Sequence, residues 1–247
     1  MKTTDNTILI TGGTSGIGLG LAERFHSAGN TVIVAGRRRE LLDSITTAHP
    51  GMVGIELDVD DPASIAALRD TLERDHPQLN VVITAAGIMR PENLLDPNHV
   101  ETAEATIVSN LLGTIRTTAA LTPLLAGKDG ATIMTVSSGL AFVPLALTPT
   151  YSATKSGVHA YTEVMRLQLA PAGIQVIELA PPAVQTALMG QADSPTAMPL
   201  DAFLSEVMAL IASDPDASEI LVENVKPLRF AVANGSYDTV LQMLASH

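Results

Sequence analysis

The chain has 247 residues, 46% of them hydrophobic and 16% charged, which is enough apolar material for one large domain with a buried core. A formal net charge of −12 argues against nucleic acid as the main partner, because phosphate contacts need clustered lysine and arginine. The lack of cysteine excludes disulfides, thiolate nucleophiles and cysteine-ligated metals. No run of residues resembles a signal peptide or a membrane span, so we expect a soluble, cytoplasmic protein without a membrane partner.

Short apolar runs alternate with helical patterns along most of the chain. The apolar runs, rich in β-branched residues, predict strands at 7–11, 31–35, 52–58, 80–84, 131–136 and 175–180. The patterns between and after them predict helices at 17–25, 40–48, 62–76, about 98–125, 151–170 and 200–212. This alternation predicts an α/β fold in which one Rossmann-type domain, residues 1–247, has a doubly wound parallel sheet with helices on both faces.

The end of the chain is less regular. Residues 183–199 are expected to form a long loop beside the substrate, and residues 213–247 an atypical C-terminal segment. Within that segment the favoured elements are a strand at 220–225 and a short helix at 237–245. In doubly wound folds ligands bind beyond the carboxyl ends of the strands, so we expect one cleft there.

A glycine-rich turn, TGGTSGIG at 11–18, joins the first predicted strand to the first predicted helix. Gly12, Gly16 and Gly18 follow a G-x-x-x-G-x-G spacing, which differs from the commoner G-x-G-x-x-G dinucleotide pattern. Such a turn lets phosphate approach the backbone at a helix N-terminus. A purely structural glycine-rich turn is the alternative at this point.

A tyrosine and a lysine lie four residues apart at the start of a predicted helix, so Tyr151 and Lys155 share one helix face. A nearby ammonium favours phenolate, so such a pair can exchange a proton with an alcohol or carbonyl oxygen. An ordinary amphipathic helix start is the alternative. Ser138, at the end of the fifth strand, can donate to the same oxygen, and its neighbour Ser137 competes for that role. Asn110 is either a solvated helix residue or the holder of a kink and a water near Lys155.

These elements together carry a resemblance. The glycine-rich turn, Asp58-Val59, the AAG at 85–87, Asn110, Ser138 and the YSATK at 151–155 resemble the short-chain dehydrogenase/reductase family over about residues 7–190. The stretch SSGLAFVPLALTPTYSATK, followed by APPAVQT, more narrowly resembles the DltE-like oxidoreductases.

The resemblance implies a role for each matching position. The pyrophosphate of the cofactor would lie on the glycine-rich turn, with contacts from Gly12, Thr14, Ser15, Gly16, Ile17 and Gly18. Further cofactor contacts are implied for Asp58 and Val59 at the adenine, Ala86 and Gly87 along the adenosine ribose, Val184 and Thr186 at the nicotinamide carboxamide, and Pro181. Tyr151 would be the catalytic acid or base, and Lys155 would lower its pKa and hold the nicotinamide ribose. Ser138 would orient the carbonyl, and Asn110 would complete a proton relay through water.

The end of the second strand predicts which dinucleotide is bound. NAD-binding folds usually have Asp or Glu there, whereas this chain has Gly36 followed by Arg37, Arg38 and Arg39. Guanidinium groups can bind a 2′-phosphate bidentately, so we predict NADP(H) rather than NAD(H), with Arg37 as the main contact and Arg38 in support. A basic helix start on the surface is the alternative.

The sequence departs from the family pattern at three places. The family's usual NNAG is TAAG at 84–87, its usual Pro-Gly is Pro181-Pro182, and the C-terminus lacks a glycine-ending last strand. The last departure leaves a homodimer and a homotetramer both open, with residues 98–125 and 151–170 as the expected pairing surface.

The chain has six histidines, and none is spaced as a metal-ligand set, so no metal site is predicted. Six apolar residues are expected either to line the substrate pocket or to pack on the core, namely Phe142, Val143, Leu145, Leu147, Leu188 and Met189.

The sequence therefore predicts an NADP(H)-dependent oxidoreductase that interconverts a small-molecule carbonyl and an alcohol. The alternative is a catalytically silent dinucleotide-binding regulator or scaffold.

Overall fold

Seven parallel strands form the central sheet of the computed structural model, which describes residues 1–245. They are β1 Thr7–Thr11, β2 Thr31–Gly36, β3 Val53–Glu56, β4 Val81–Thr84, β5 Thr132–Val136, β6 Gln175–Leu179 and β7 Glu219–Ile220. Their order across the sheet is β3-β2-β1-β4-β5-β6-β7. The strand order reverses between β1 and β4, which opens a crevice at the carboxyl ends of these strands.

The central strands are buried on both faces, as continuous β-branched runs predict. Ile8, Leu9 and Ile10 of β1 are fully buried, and Ile8 pairs with Val32 of β2 on one side and with Val81 of β4 on the other. Successive residues of a strand point to opposite faces, so each strand contributes to two separate cores.

Helices cover both faces of the sheet. They are α1 Gly16–Ser27, α2 Arg39–Ala48, α3 Pro62–Asp75, α4 His99–Ile107, α5 Gly113–Leu125, α6 Pro149–Leu169, α7 Leu200–Ser213, α8 Lys226–Arg229 and α9 Tyr237–Ala245. One core contains Phe25 of α1 and Phe203 of α7, and the other contains Leu68 of α3 and Leu121 of α5. The predicted doubly wound α/β fold is confirmed.

Two elements differ from the prediction. The helix expected over 98–125 is divided by a turn of π-helix, Val108–Leu112, between α4 and α5. The strand expected at 220–225 was wrong beyond its first residue, because a 3₁₀ turn, Glu223–Val225, follows β7. Val222 and Val225 are both fully buried, and a spacing of three residues places them on one side of such a turn.

Candidate active site

A cleft of about 930 Å³ lies at the carboxyl ends of the strands. Most of the predicted site residues line it: Gly12, Thr14, Ser15, Gly16, Ile17, Gly18, Arg37, Arg38, Val59, Ala86, Gly87, Ser138, Tyr151, Lys155, Pro181, Val184 and Thr186. Asp58 and Asn110 do not line it. Asp60 lines it although the sequence did not single it out.

The glycine-rich turn packs so closely on the residues after β4, and on itself, that Gly12 and Gly18 have no room for a side chain. A Cβ atom on Gly12 would lie 2.7 Å from the Cα of Ala86, and Gly12 has a φ of +67°. A Cβ on Gly18 would lie 2.4 Å from the carbonyl oxygen of Gly12. Ser15 precedes α1 without forming a side-chain cap, so the first N–H groups of α1 remain available to an anion. This cradle therefore fits the pyrophosphate of a dinucleotide.

Two arginines border the cleft at the end of β2. The Nη2 of Arg38 donates to the Oγ1 of Thr14 at 3.3 Å, and the Nη1 of Arg37 lies 3.9 Å from a carboxylate oxygen of Asp60. Arg39 pairs instead with Asp43 on the surface of α2 at 3.0 Å. Only the first two guanidinium groups of the basic triplet thus line the cleft.

Asp58 and Asp60 form one turn after β3. The Oδ1 of Asp58 accepts the backbone N–H of Asp60 at 3.0 Å, while Asp60 accepts from the Oγ of Ser109 at 2.6 Å. Asp58 therefore shapes the turn and Asp60 contributes to the cleft wall. An Asp side chain commonly bonds the backbone two residues on, but no pattern in the sequence shows which of the two faces the cleft.

Tyr151 and Lys155 are buried on the same face of α6, with 7% and 6% of their surface exposed. The Nζ of Lys155 donates to the carbonyl oxygen of Val136 at 2.8 Å and lies 5.6 Å from the centre of the Tyr151 ring. Burial raises the pKa of Tyr151 to about 12, and a hydrogen bond with Ser138 opposes that rise. Burial lowers the pKa of Lys155 to about 8, and the charge of Glu178 opposes that fall. Desolvation thus outweighs the effect that the sequence predicted for Lys155 on the phenol.

Ser138 lies at the end of β5, where its Oγ accepts the backbone N–H of Leu140 at 3.1 Å. Its neighbour Ser137 also lines the cleft, and its buried Oγ has no hydrogen-bond partner within residues 1–245. The hydrogen bond with Tyr151 distinguishes Ser138 from Ser137.

Asn110 lies within the π-helical turn and behind the cleft wall. Its Oδ1 accepts the backbone N–H of Ile88 and its Nδ2 donates to the carbonyl oxygen of Ile88, each at 2.8 Å. The same Nδ2 donates to the Oγ1 of Thr154 at 3.3 Å. A Cβ on Gly87 would lie 3.0 Å from the Oδ1 of Asn110 and 3.9 Å from the Nζ of Lys155. Asn110 therefore joins the loop after β4 to α6 close to Lys155, at the kind of helix irregularity that is frequent at functional sites.

Glu92 anchors the start of α6, a role the sequence did not reveal. Its carboxylate accepts the backbone N–H of Thr150 at 3.0 Å and the hydroxyl of Thr150 at 2.7 Å. Its own N–H donates to the carbonyl oxygen of Leu147 at 3.0 Å. A carboxylate stabilises a helix N-terminus, and this one holds the residue that precedes Tyr151. Glu92 is 58 positions away in sequence, so no local pattern indicates this contact.

The apolar wall of the cleft differs in part from the set of residues considered in the sequence. Leu145, Leu147 and Leu188 line the cleft, whereas Phe142, Val143 and Met189 do not. Val143 is fully buried, and Phe142 packs edge-on against His159 at 4.8 Å between ring centres. The C-terminal segment contributes three further apolar side chains, namely Leu228, Met243 and Leu244.

A charged cluster joins α6, β6 and β7. His159, Glu178 and Glu219 place one potential metal-ligating atom each within 4.8 Å of one another, which their sequence spacing did not show. The Nδ1 of His159 is 2.7 Å from the fully buried Glu178, and the bond with that carboxylate raises the pKa of His159. Arg229 donates to both carboxylate oxygens of Glu219, at 2.8 and 3.2 Å. Ion pairs within the chain thus already engage these groups.

The pattern of the family described as short chain dehydrogenase matches residues 6–197. The chain belongs to this family. As a member, it is an oxidoreductase of the short-chain dehydrogenase family. The expected resemblance to DltE-like oxidoreductases is confirmed as well, because the chain is 34% identical to the uncharacterized oxidoreductase DltE of Bacillus subtilis (strain 168), over 99% of this chain and 98% of that protein.

Two further comparisons concern this short-chain dehydrogenase family member. It is 32% identical to an NADPH-dependent 1-acyldihydroxyacetone phosphate reductase of Schizosaccharomyces pombe, over 74% of this chain and 62% of that protein. Its fold matches the crystal structure of a short chain dehydrogenase from Burkholderia cenocepacia J2315 in complex with NADP, with a TM-score of 0.84 and 24% identity over 99% of both chains. Within residues 1–245, every helix is too short or too polar to cross a membrane.

Proposed function

We propose that this protein is an NADP(H)-dependent oxidoreductase that interconverts a carbonyl and an alcohol. The observation that carries the proposal is the position of Ser138, Tyr151 and Lys155 in the same cleft as the glycine-rich turn. A hydrogen-bonded serine and tyrosine provide two O–H groups for one substrate oxygen, and a buried lysine lies 5.6 Å from the tyrosine ring. The alternative of a silent regulator gains no support, because all three groups are present and buried.

The preference for NADP(H) rests on charge at the end of β2. Arg37 and Arg38 line the cleft where NAD-binding folds usually have a carboxylate, and Gly36 packs directly on Thr14. The Schizosaccharomyces pombe relative is NADPH-dependent by name, and the Burkholderia cenocepacia structure contains NADP, which agrees with this assignment. When bound, this cofactor supplies or accepts the hydride at the substrate carbon.

The residues of the chain manage the proton on the substrate oxygen. The Oγ of Ser138 accepts a backbone N–H, and its own hydrogen, shared with the phenol of Tyr151 in the free protein, is available to a substrate oxygen beside that phenol. Burial keeps Tyr151 protonated at neutral pH, so in reduction its phenol can donate the proton that the new alcohol requires. Asn110 contributes by position, because it connects the loop after β4 to the helix that carries Lys155.

Removing the phenol hydroxyl tests this mechanism. Tyr151→Phe is expected to lower kcat by about a thousandfold or more, since a general acid typically contributes 10²–10⁴-fold, while NADPH affinity stays within about twofold. The oxidation of NADPH in the presence of a panel of ketones and aldehydes measures kcat. Fluorescence titration with NADPH measures the affinity for the cofactor. A Tyr151→Phe protein that binds NADPH normally and reduces carbonyls at the parent rate sinks the mechanism.

Cofactor choice has its own test. We expect kcat/KM for NADPH to exceed that for NADH by about a hundredfold, because charge-assisted bonds to the 2′-phosphate contribute a few kcal/mol. Arg37→Ala combined with Arg38→Ala should remove most of that preference, and Arg39→Ala is the matched control because its guanidinium pairs on the surface. Equal use of both dinucleotides by the parent protein overturns the assignment.

We also propose that the protein is a homodimer or homotetramer paired through α4, α5 and α6. Apolar side chains are exposed on two of these helices, with Val100 and Ile107 on α4 and Val164 and Leu167 on α6. Light scattering after gel filtration measures the assembled mass. A monomer at micromolar concentration contradicts this part of the proposal.

A further inference from the structure

We propose that the substrate is an uncharged ketone or aldehyde, whose apolar part lies between residues 183–199 and the C-terminal helix α9. This inference rests on the proposed carbonyl chemistry and deepens it. It concerns the part of the cleft beyond Tyr151, which we call the substrate end. The part beside the glycine-rich turn is the dinucleotide end.

Charge is distributed unevenly along the cleft. Among the described residues that line it, the ionisable side chains other than Tyr151 are Arg37, Arg38, Asp60 and Lys155. The first three lie at the dinucleotide end, and the Nζ of Lys155 donates to the backbone of β5. The polar side chains beyond Tyr151 are neutral, such as Gln191 and Thr196. The described wall of the substrate end therefore offers no counter-ion to a charged substrate.

Apolar side chains from separate segments meet at this end. Leu147 comes from the loop before α6, Leu188 from residues 183–199 and Met243 from α9. Their exposed fractions are 46%, 40% and 53%, which places them at the mouth of the cleft. Leu140, Leu145, Leu228 and Leu244 continue the apolar surface inward. An apolar chain or ring that extends from the carbonyl carbon could cover this surface.

Contacts with the rest of the chain anchor the contribution of α8. Leu228 packs on Gly139, where a Cβ would lie 2.6 Å from its Cδ1. The adjacent Arg229 pairs with Glu219 and stacks on the Phe142 ring, 4.8 Å from its centre. The apolar wall formed by α8 is therefore a built surface that is tied to the segment carrying Ser138.

Electrostatics disfavours an anionic substrate. A carboxylate or phosphate that entered the substrate end would lose hydration without gaining a partner there, which is costly. The net charge of −12 adds a long-range field that opposes the approach of anions. A neutral carbonyl compound meets neither penalty and gains from covering apolar surface.

The first experiment compares two methyl ketones of the same length. NADPH oxidation is followed with 2-octanone, which is neutral, and with 7-oxooctanoate, which ends in a carboxylate. We expect kcat/KM to be higher for 2-octanone by about a hundredfold, since an unpaired charge in an apolar site costs at least as much as an unpaired buried polar group. Equal kcat/KM values for the two ketones overturn the inference.

A second variant pair tests the location. Met243→Lys adds a cation at the mouth and should raise the relative kcat/KM for 7-oxooctanoate by about tenfold. Val232→Lys is the matched control, because Val232 belongs to the same C-terminal segment, is 74% exposed and does not line the cleft. If both variants change the ratio equally, or neither does, the assignment of the substrate end is overturned.

Binding without turnover separates this inference from the proposed function. Calorimetry measures the affinities of two amides of the same length, octanamide and the octanamide that carries a carboxylate at its far end. Each is added to the parent protein saturated with NADP⁺. Preferential binding of octanamide supports the inference even if no ketone is reduced, in which case the proposed function alone fails. Equal binding of both amides overturns the inference and leaves the carbonyl chemistry standing.

Discussion

Replacing the buried lysine by methionine should stabilise the protein while abolishing its activity. Burial lowers the pKa of Lys155 from 10.5 to about 8. Each factor of ten in proton affinity corresponds to about 1.4 kcal/mol, so the folded state holds the ammonium at a cost of about 3 kcal/mol. Lys155→Met removes that cost and also removes the hydrogen bond to Val136, which contributes about 1 kcal/mol. The expected net gain at pH 7 is about 2 kcal/mol.

The gain should depend on pH in a defined direction. Below pH 8 the lysine is protonated in both the folded and the unfolded chain, so the full cost applies. Between about pH 8 and 10.5 the folded protein has released the proton while the unfolded chain still binds it, so the stability of the parent rises with pH. At pH 10 the advantage of Lys155→Met should therefore have fallen to about zero.

Urea denaturation without cofactor, at pH 7 and at pH 10, measures both quantities. Cofactor is left out because a ligand that binds only the folded state adds stability of its own. Lys2→Met is the matched control: it removes the same charge from a side chain that is 67% exposed and forms only a surface pair with Asp129, so no comparable gain is expected. A Lys155→Met protein that is less stable than the parent at pH 7, or whose gain is the same at both pH values, would falsify this account of the buried lysine.

Two other substitutions test the cofactor cradle and the anchor of α6. Gly12→Ala should weaken NADPH binding by about tenfold or more, because the new Cβ would lie 2.7 Å from Ala86 in a strained backbone. Gly29→Ala is the control, because Gly29 also has a positive φ but has open space around it. This control should lower the stability of the protein by about 1 kcal/mol and leave its affinity for NADPH unchanged. Fluorescence titration decides this, and equal affinity in both variants speaks against the cradle. Glu92→Ala should lower kcat by about tenfold with little change in the KM for NADPH, because the start of α6 loses two hydrogen bonds. Glu92→Gln can still accept one of these hydrogen bonds and should therefore retain more activity than Glu92→Ala. Steady-state kinetics with one ketone measures this, and identical kcat values for parent and Glu92→Ala refute a positioning role.

The sequence predicted the sheet well because its strands are continuous apolar runs. Such runs are buried on both faces of a parallel sheet, and the sequence of each run is enough to identify it as a strand. The end of the chain followed a different rule. Val222 and Val225 resemble strand residues, but within residues 1–245 β7 pairs only with β6, and the chain leaves the sheet after Ile220. Local propensity cannot show where tertiary packing ends a strand.

The parts of the candidate site that could be predicted are those whose residues lie close together in the sequence. The glycine-rich turn and the Tyr151–Lys155 pair are encoded in consecutive residues, and the fold brings them into one cleft. Contacts between distant segments were not predictable. Glu92 reaches Thr150 across 58 positions, and the side chains of Phe142 and Leu145 go to different places although they are three residues apart in one loop. The conformation of a loop depends on the segments that it packs against, and these contacts cannot be identified from a single sequence.

The family pattern ends at residue 197, whereas Leu228, Met243 and Leu244 enter the cleft from beyond it. The stretch that contains the groups proposed to transfer the proton and the stretch that lines the mouth of the cleft are therefore separate along the chain. Insertions, deletions or exchanges after residue 197 can alter what the cleft admits without touching Ser138, Tyr151 or Lys155. A chimera that joins residues 1–197 to the C-terminal stretch of a relative is thus a direct route to a new substrate range on an unchanged reaction centre.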